Sequence, residues 1–158
     1  MPFQFSLESV LRLREEAVER AKDQLAVEML QMNQAQQQVD EVNARIGQAR
    51  EAFRESMSNG TDSGLVVQLR QFMVSLENER ENRQMTLEGY QARVEACRKA
   101  LLSARRKLDT IESIRVRRLK EYEHRERQEA QKQLDELVVQ GVGNGCLLYT
   151  SPSPRDRG

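Results

Sequence analysis

One histidine, His124, and two cysteines, Cys97 and Cys146, are the residues of this chain best suited to metal ligation or thiol chemistry. The cysteines lie far apart without metal spacing, and His124 has no second imidazole with which to share an ion. The chain has no glycine-rich phosphate loop and no nucleophile elbow. Carboxylates are plentiful, but di-metal carboxylate sites need a four-helix core with Glu-x-x-His motifs, and no histidine stands near such a glutamate here. The residues therefore point to no catalytic site, no metal and no cofactor. They point to recognition. Arg115, Arg117, Arg118, Lys120 and Tyr122 make an aromatic-tagged basic patch. It suits an acidic protein partner, or else it is a solvated helix face closed by Glu121–Arg125 and Glu123–Arg127 pairs at i,i+4. Phe72 lies just off the apolar pattern of its segment, where it either widens a core or anchors a partner.

The elements that position these residues are legible in the apolar spacing. From Leu11 every seventh residue is apolar: Leu11, Val18, Leu25, Met32, Val39, Ile46 and Phe53. With apolar residues at 38% of the chain, seven in succession arise by chance roughly once in a thousand for a chosen frame. This is one edge of a coiled-coil seam. Its companion positions, Arg14, Ala21, Glu28, Ala35, Val42 and Ala49, are small or polar, so the helix needs a partner with large residues opposite. Glu28 on that seam is expected at an exposed edge or paired with a nearby Arg or Lys. Ser58–Asn59–Gly60–Thr61–Asp62–Ser63–Gly64 gathers turn residues, and the seam resumes beyond it at Val66, Leu69, Met73 and Leu76, then from Leu87 to Ile111. No proline stands between Pro2 and Pro152 to interrupt either helix.

These signals predict an all-α chain: two long helices forming an antiparallel coiled-coil hairpin, with helix 2 longer than helix 1. Helix 1 covers about residues 6–56, capped by Ser6, the bend spans 57–64, and helix 2 covers about 65–139. Setting large residues against small ones gives the register. Ala49 then meets Met73, Ala35 meets Leu87, Ala21 meets Leu101 and Val18 meets Ala104, while Ile46 faces Leu76, Met32 faces Tyr90, Leu25 faces Cys97 and Leu11 faces Ile111. One region is poor, because Val42 faces Arg80 and Val39 faces Arg83, whose stems would have to cover the valines. Beyond residue 116 helix 2 has no partner in this register, and its seam positions turn to Arg118, Tyr122 and Arg125.

Aromatic residues at 4%, charged residues at 32% and a mean hydropathy of -0.75 fit such a polar helical pair better than an ordinary globular core. A net charge of +0 argues against a nucleic-acid binder, although ten Lys and Arg against six Asp and Glu between Arg105 and Lys132 make that stretch locally basic. No run of 18 apolar residues exists, and the first residues lack the order of a secretory signal, so a cytoplasmic location is expected.

The opening Phe3-Gln4-Phe5-Ser6-Leu7-Glu8-Ser9-Val10-Leu11-Arg12-Leu13-Arg14 resembles the start of flagellar FliJ proteins, and Gln131-Lys132-Gln133-Leu134-Asp135-Glu136 resembles their closing motif. Ser58-Asn59-Gly60 followed by Gln71-Phe72 and Leu76-Glu77 fits the family's tip. The resemblance implies a small non-enzymatic component of the flagellar type III export apparatus, on the cytoplasmic face of the inner membrane and without insertion into it. It implies a coiled coil similar to the stalk of rotary ATPases that associates with the export ATPase FliI, binds the export gate protein FlhA and escorts export chaperones. The ATPase would be engaged through the terminal half, where Arg115, Arg117, Arg118 and Tyr122 lie. The gate would be met nearer the bend, at Gln38, Val42, Phe72 and Leu76. The sequence departs from the family pattern at Arg45, Ala49, Glu79 and Arg83. The equivalent stalk of a virulence secretion system and a purely structural coiled coil are the alternatives. Residues 141–158 are expected to form a disordered tail. Within it, 146–158 resembles the translation of a sequencing-library adaptor and is set aside from functional reasoning.

Overall fold

The computed structural model describes residues 2–60 and 62–150, with side chains as far as residue 141. Two α-helices make up the fold, α1 (Glu8–Ser58, 51 residues) and α2 (Ser63–Thr150, 88 residues), packed against each other as an antiparallel hairpin. The turn between them follows from its residues. The Asn59 amide donates to the Glu55 carbonyl at 2.9 Å, Gly60 then takes a left-handed φ of 68°, and the Asp62 carbonyl accepts from the Val66 amide at 3.2 Å. A glycine adopts that φ without the cost a Cβ would impose, which is why the chain can reverse there.

By contact the chain divides into two compact units, Arg12–Leu108 and the pair of segments Met1–Leu11 and Asp109–Gly158. In the first unit the core lies along the seam between the two helices. Ile46, Ala49 and Leu76 cluster with Val42, and Met73 packs on them. Ala35 and Val39 cluster with Leu87, flanked by Met32 and Tyr90. These groupings reproduce the expected register. The stretch expected to be weak is instead among the best buried: Val42 is 1% exposed and Val39 4%. Of the two arginines expected over the valines, Arg80 is exposed, while Arg83 turns its head to the other helix. Arg45 Nη2 lies 2.8 Å from Glu79 Oε1, and Arg83 Nη1 donates to Gln38 Oε1 at 2.9 Å, so polar side chains bond across the helix pair beside the valines.

In the second unit α1 begins at Glu8, two residues later than its expected start, and Ser6 is no cap. The Glu8 amide donates to the Phe5 carbonyl at 3.1 Å, while the Ser6 hydroxyl accepts from Arg118 Nη1 at 2.7 Å. With α1 starting at Glu8, Ser6 stands too early in the chain to cap it, and its oxygen takes a charge-assisted bond instead. The backbone of α2 is helical past residue 139, where its end was expected. The glycines beyond cost about 1 kcal/mol each in a helix but do not forbid one, and no proline stands between residue 139 and Pro152. The side chains of 142–150 and all of 151–158 lie outside the described residues, and with them Cys146 and the side chains of the adaptor-like segment.

Candidate protein-docking surfaces

Near the bend, the first unit splits the four residues expected to meet the gate protein. Phe72 is 51% exposed, and Gln38 is exposed with its carbonyl held by Arg83. Val42 and Leu76 are core residues, 1% and 2% exposed, in one cluster with Ile46 and Ala49. Of the four, only Gln38 and Phe72 therefore present side chains to solvent. Three of the positions where the sequence departs from the family pattern belong to one polar network, since Glu79 Oε1 is shared by Arg45 at 2.8 Å and Arg83 at 3.9 Å. Sequence reasoning missed the apolar company of Phe72. Leu65, Val67 and Val74 are also exposed, and Leu65 and Phe72, like Val67 and Val74, are seven residues apart and so share a helix face. That i,i+7 spacing is the signal that would have found them.

In the second unit the N-terminal segment lies on α2, so the part of α2 expected to run unpartnered from residue 116 is covered as far as Tyr122. Phe5 is 8% exposed, and the Arg118 guanidinium carbon sits 5.6 Å from its ring centre. Phe3 and Tyr122 meet with ring centres 5.5 Å apart and planes tilted by 49°, within the centroid range of interacting aromatic pairs. Arg115 Nε lies 3.6 Å from Glu8 Oε2. Of the four residues expected to bind the ATPase, Arg115, Arg118 and Tyr122 are thus gathered against the N-terminal segment. Arg117 is exposed beside Val116. Neither Glu121–Arg125 nor Glu123–Arg127 closes into an ion pair, so the solvated-face pairing does not form.

Residues 123–141 of α2 are exposed throughout. Leu134, Leu137 and Val138 form an exposed stripe there at i, i+3 and i+4. Glu28 is neither at an exposed edge nor paired with Arg or Lys. It is half-buried, accepts from Gln24 Nε2 at 3.2 Å, and leaves Oε2 buried without a partner. Among the described residues no group of His, Cys, Asp and Glu is arranged to hold a metal ion, and no helix is long and apolar enough to cross a membrane.

The fold is that of CT670 from Chlamydia trachomatis, described as a candidate YscO homolog. The two structures agree with a TM-score of 0.62 at 19% identity, over 98% of this chain and 99% of that one. No curated protein matches the sequence. The model of the flagellar FliJ protein family matches residues 3–145, nearly the whole of the described chain, and it does so on a polar two-helix hairpin. The chain belongs to the flagellar FliJ protein family.

Proposed function

We propose that this protein is a non-enzymatic stalk of the flagellar export apparatus, working on the cytoplasmic face of the inner membrane. It promotes assembly and activity of the export ATPase FliI, couples that ring to the export gate protein FlhA, and escorts export chaperones. The observation that carries this reading is in the second unit. There α2 continues beyond the N-terminal segment with every described side chain from residue 123 to 141 exposed, next to the basic and aromatic group Arg115, Arg117, Arg118 and Tyr122. A helix without a packed face lacks the tertiary contacts that supply most helical stability, and it gains them by docking. In the first unit Phe72 and Gln38 supply the surface for the gate, with Val42 and Leu76 supporting it from the core.

The test is stimulation of the ATPase by a chain carrying Arg115→Glu, Arg117→Glu and Arg118→Glu. Stimulation is expected to fall with helix content nearly unchanged, and binding of the unaltered chain is expected to weaken with salt. Full stimulation by the triple variant would leave Arg115 and Arg118 with the structural role of holding the N-terminal segment on α2. A second reading, the equivalent stalk of a virulence secretion system, is favoured by the shared fold with the candidate YscO homolog. Flagellar or virulence genes beside this one separate the two.

A further inference from the structure

The N-terminal segment does more than cover α2, because it leaves a groove. Pro2, Phe3, Gln4 and Ser6 form one wall, and Arg118, Glu121, Tyr122 and Arg125 form the other, enclosing about 400 Å³. Arg118, Tyr122 and Arg125 follow one another at i, i+4 and i+7, so they form a single stripe along α2 with the aromatic residue between two guanidinium groups. Two turns separate the arginines, about 10 Å along the axis. The first guanidinium is already fixed. Its Nη1 donates to Ser6 at 2.7 Å and its carbon lies over the Phe5 ring, which leaves its remaining N–H groups oriented without further loss of side-chain freedom. Phe3, 5.5 Å from the Tyr122 ring, makes the middle of the groove aromatic on both sides.

We propose that this groove is a docking site for an acidic amphipathic helix of a protein partner, one that carries two carboxylates about two turns apart with an apolar side chain between them. Charge complementarity selects this occupant: the carboxylates meet Arg118 and Arg125, and the apolar residue lies between Phe3 and Tyr122. Glu121 sharpens the choice. Its carboxylate lines the same groove and repels a further one beside it, so a uniformly acidic segment fits worse than one with spaced acids. Phe3 and Arg125 become docking residues that the basic patch does not include, and Phe5 and Ser6 become positioning residues that hold Arg118 in place. The inference rests on the terminal half engaging the export ATPase, and it assigns the acidic helix to that protein.

The experiment measures binding of the full chain to the export ATPase of the same organism, at low and at high salt. Arg125→Glu and Phe3→Ala are each expected to weaken binding at least tenfold, with Arg125→Lys retaining most of it and Arg54→Glu, in the other unit, unchanged. Arg125 is exposed and its reversal leaves the packing of Phe5 and Leu11 intact, so a melting curve matching that of the unaltered chain accompanies the loss. A photo-crosslinking residue at position 125 is expected to label a helix of the ATPase with acidic side chains two turns apart. If the unaltered chain does not bind the ATPase, the proposed function fails. If it binds, and Arg125→Glu and Phe3→Ala bind within twofold of it, or the label falls on a basic segment, the groove assignment alone is overturned.

Discussion

Leu76 and Phe72 stand about one helical turn apart on α2, and removing either side chain has a different consequence. Leu76 is 2% exposed in a cluster with Val42, Ile46 and Ala49, so Leu76→Ala leaves a cavity in that core. It is expected to cost about 2–5 kcal/mol, read as a lowered melting temperature. Phe72 is 51% exposed, and Phe72→Ala is expected to cost about 1 kcal/mol or less in stability while reducing binding to the cytoplasmic part of the gate protein and swimming motility. A melting curve beside a pull-down separates these outcomes. A loss of several kcal/mol in Phe72→Ala would make it a core residue, and normal binding by a stable variant would remove it from the gate surface. The ion pair of Arg45 with Glu79 is the reverse case, short at 2.8 Å yet with side chains 42% and 35% exposed. Solvent screening limits it to about 1 kcal/mol or less in a double-mutant cycle, so its interest lies in fixing how the helices meet beside Val42.

Two glycines show how an element's own geometry sets the sign of a substitution. Gly60 has φ of 68° and nothing within 4 Å of an added Cβ, so Gly60→Ala meets no neighbour and is opposed by backbone strain alone. It is expected to lower stability by about 1–2 kcal/mol. Gly47 is helical and equally free of neighbours, so Gly47→Ala is expected to raise stability by about 1 kcal/mol. Opposite shifts of the melting temperature check the pair, and a stable Gly60→Ala would mean the bend does not need a left-handed residue. The helices and their register were legible because a heptad of Leu, Val, Met, Ile and Phe forces one face inward and small companions dictate large partners. The N-terminal contacts were not legible in the same way. Phe3 and Phe5 act outside a helix, where the period of 3.6 gives no guide, and the hydroxyl of Ser6 served a guanidinium more than a hundred residues away in place of its own helix. The candidate site was read only in part: Arg115, Arg118 and Tyr122 were identified as a group and Arg125 stood on the same stripe of α2, but Phe3 joins them through a fold-back that charge and spacing along α2 do not encode.

At the scale of the whole molecule the deciding property is that the partner of α1 belongs to the same chain. The two seam clusters, Ile46 with Leu76 and Ala35 with Leu87, join residues from opposite sides of the bend, and the small seam residues of α1 are matched by large ones on α2. A parallel dimer of α1 would stack Ala21, Ala35 and Ala49 on their own copies and leave those layers underfilled. The hairpin is therefore expected to melt at a temperature independent of protein concentration, since no subunit dissociates. A crosslink tests the same point at one layer. Ala21→Cys with Leu101→Cys, in a background of Cys97→Ser and Cys146→Ser so that no native thiol competes, places two thiols at positions that the expected register sets opposite each other, the approach a disulfide needs. Oxidation is expected to give a monomeric species of altered mobility that reverts on reduction, and to raise the melting temperature by constraining the unfolded chain. Covalent dimers in place of that species, together with a melting temperature that climbs with concentration, would mean that the helices pair between chains.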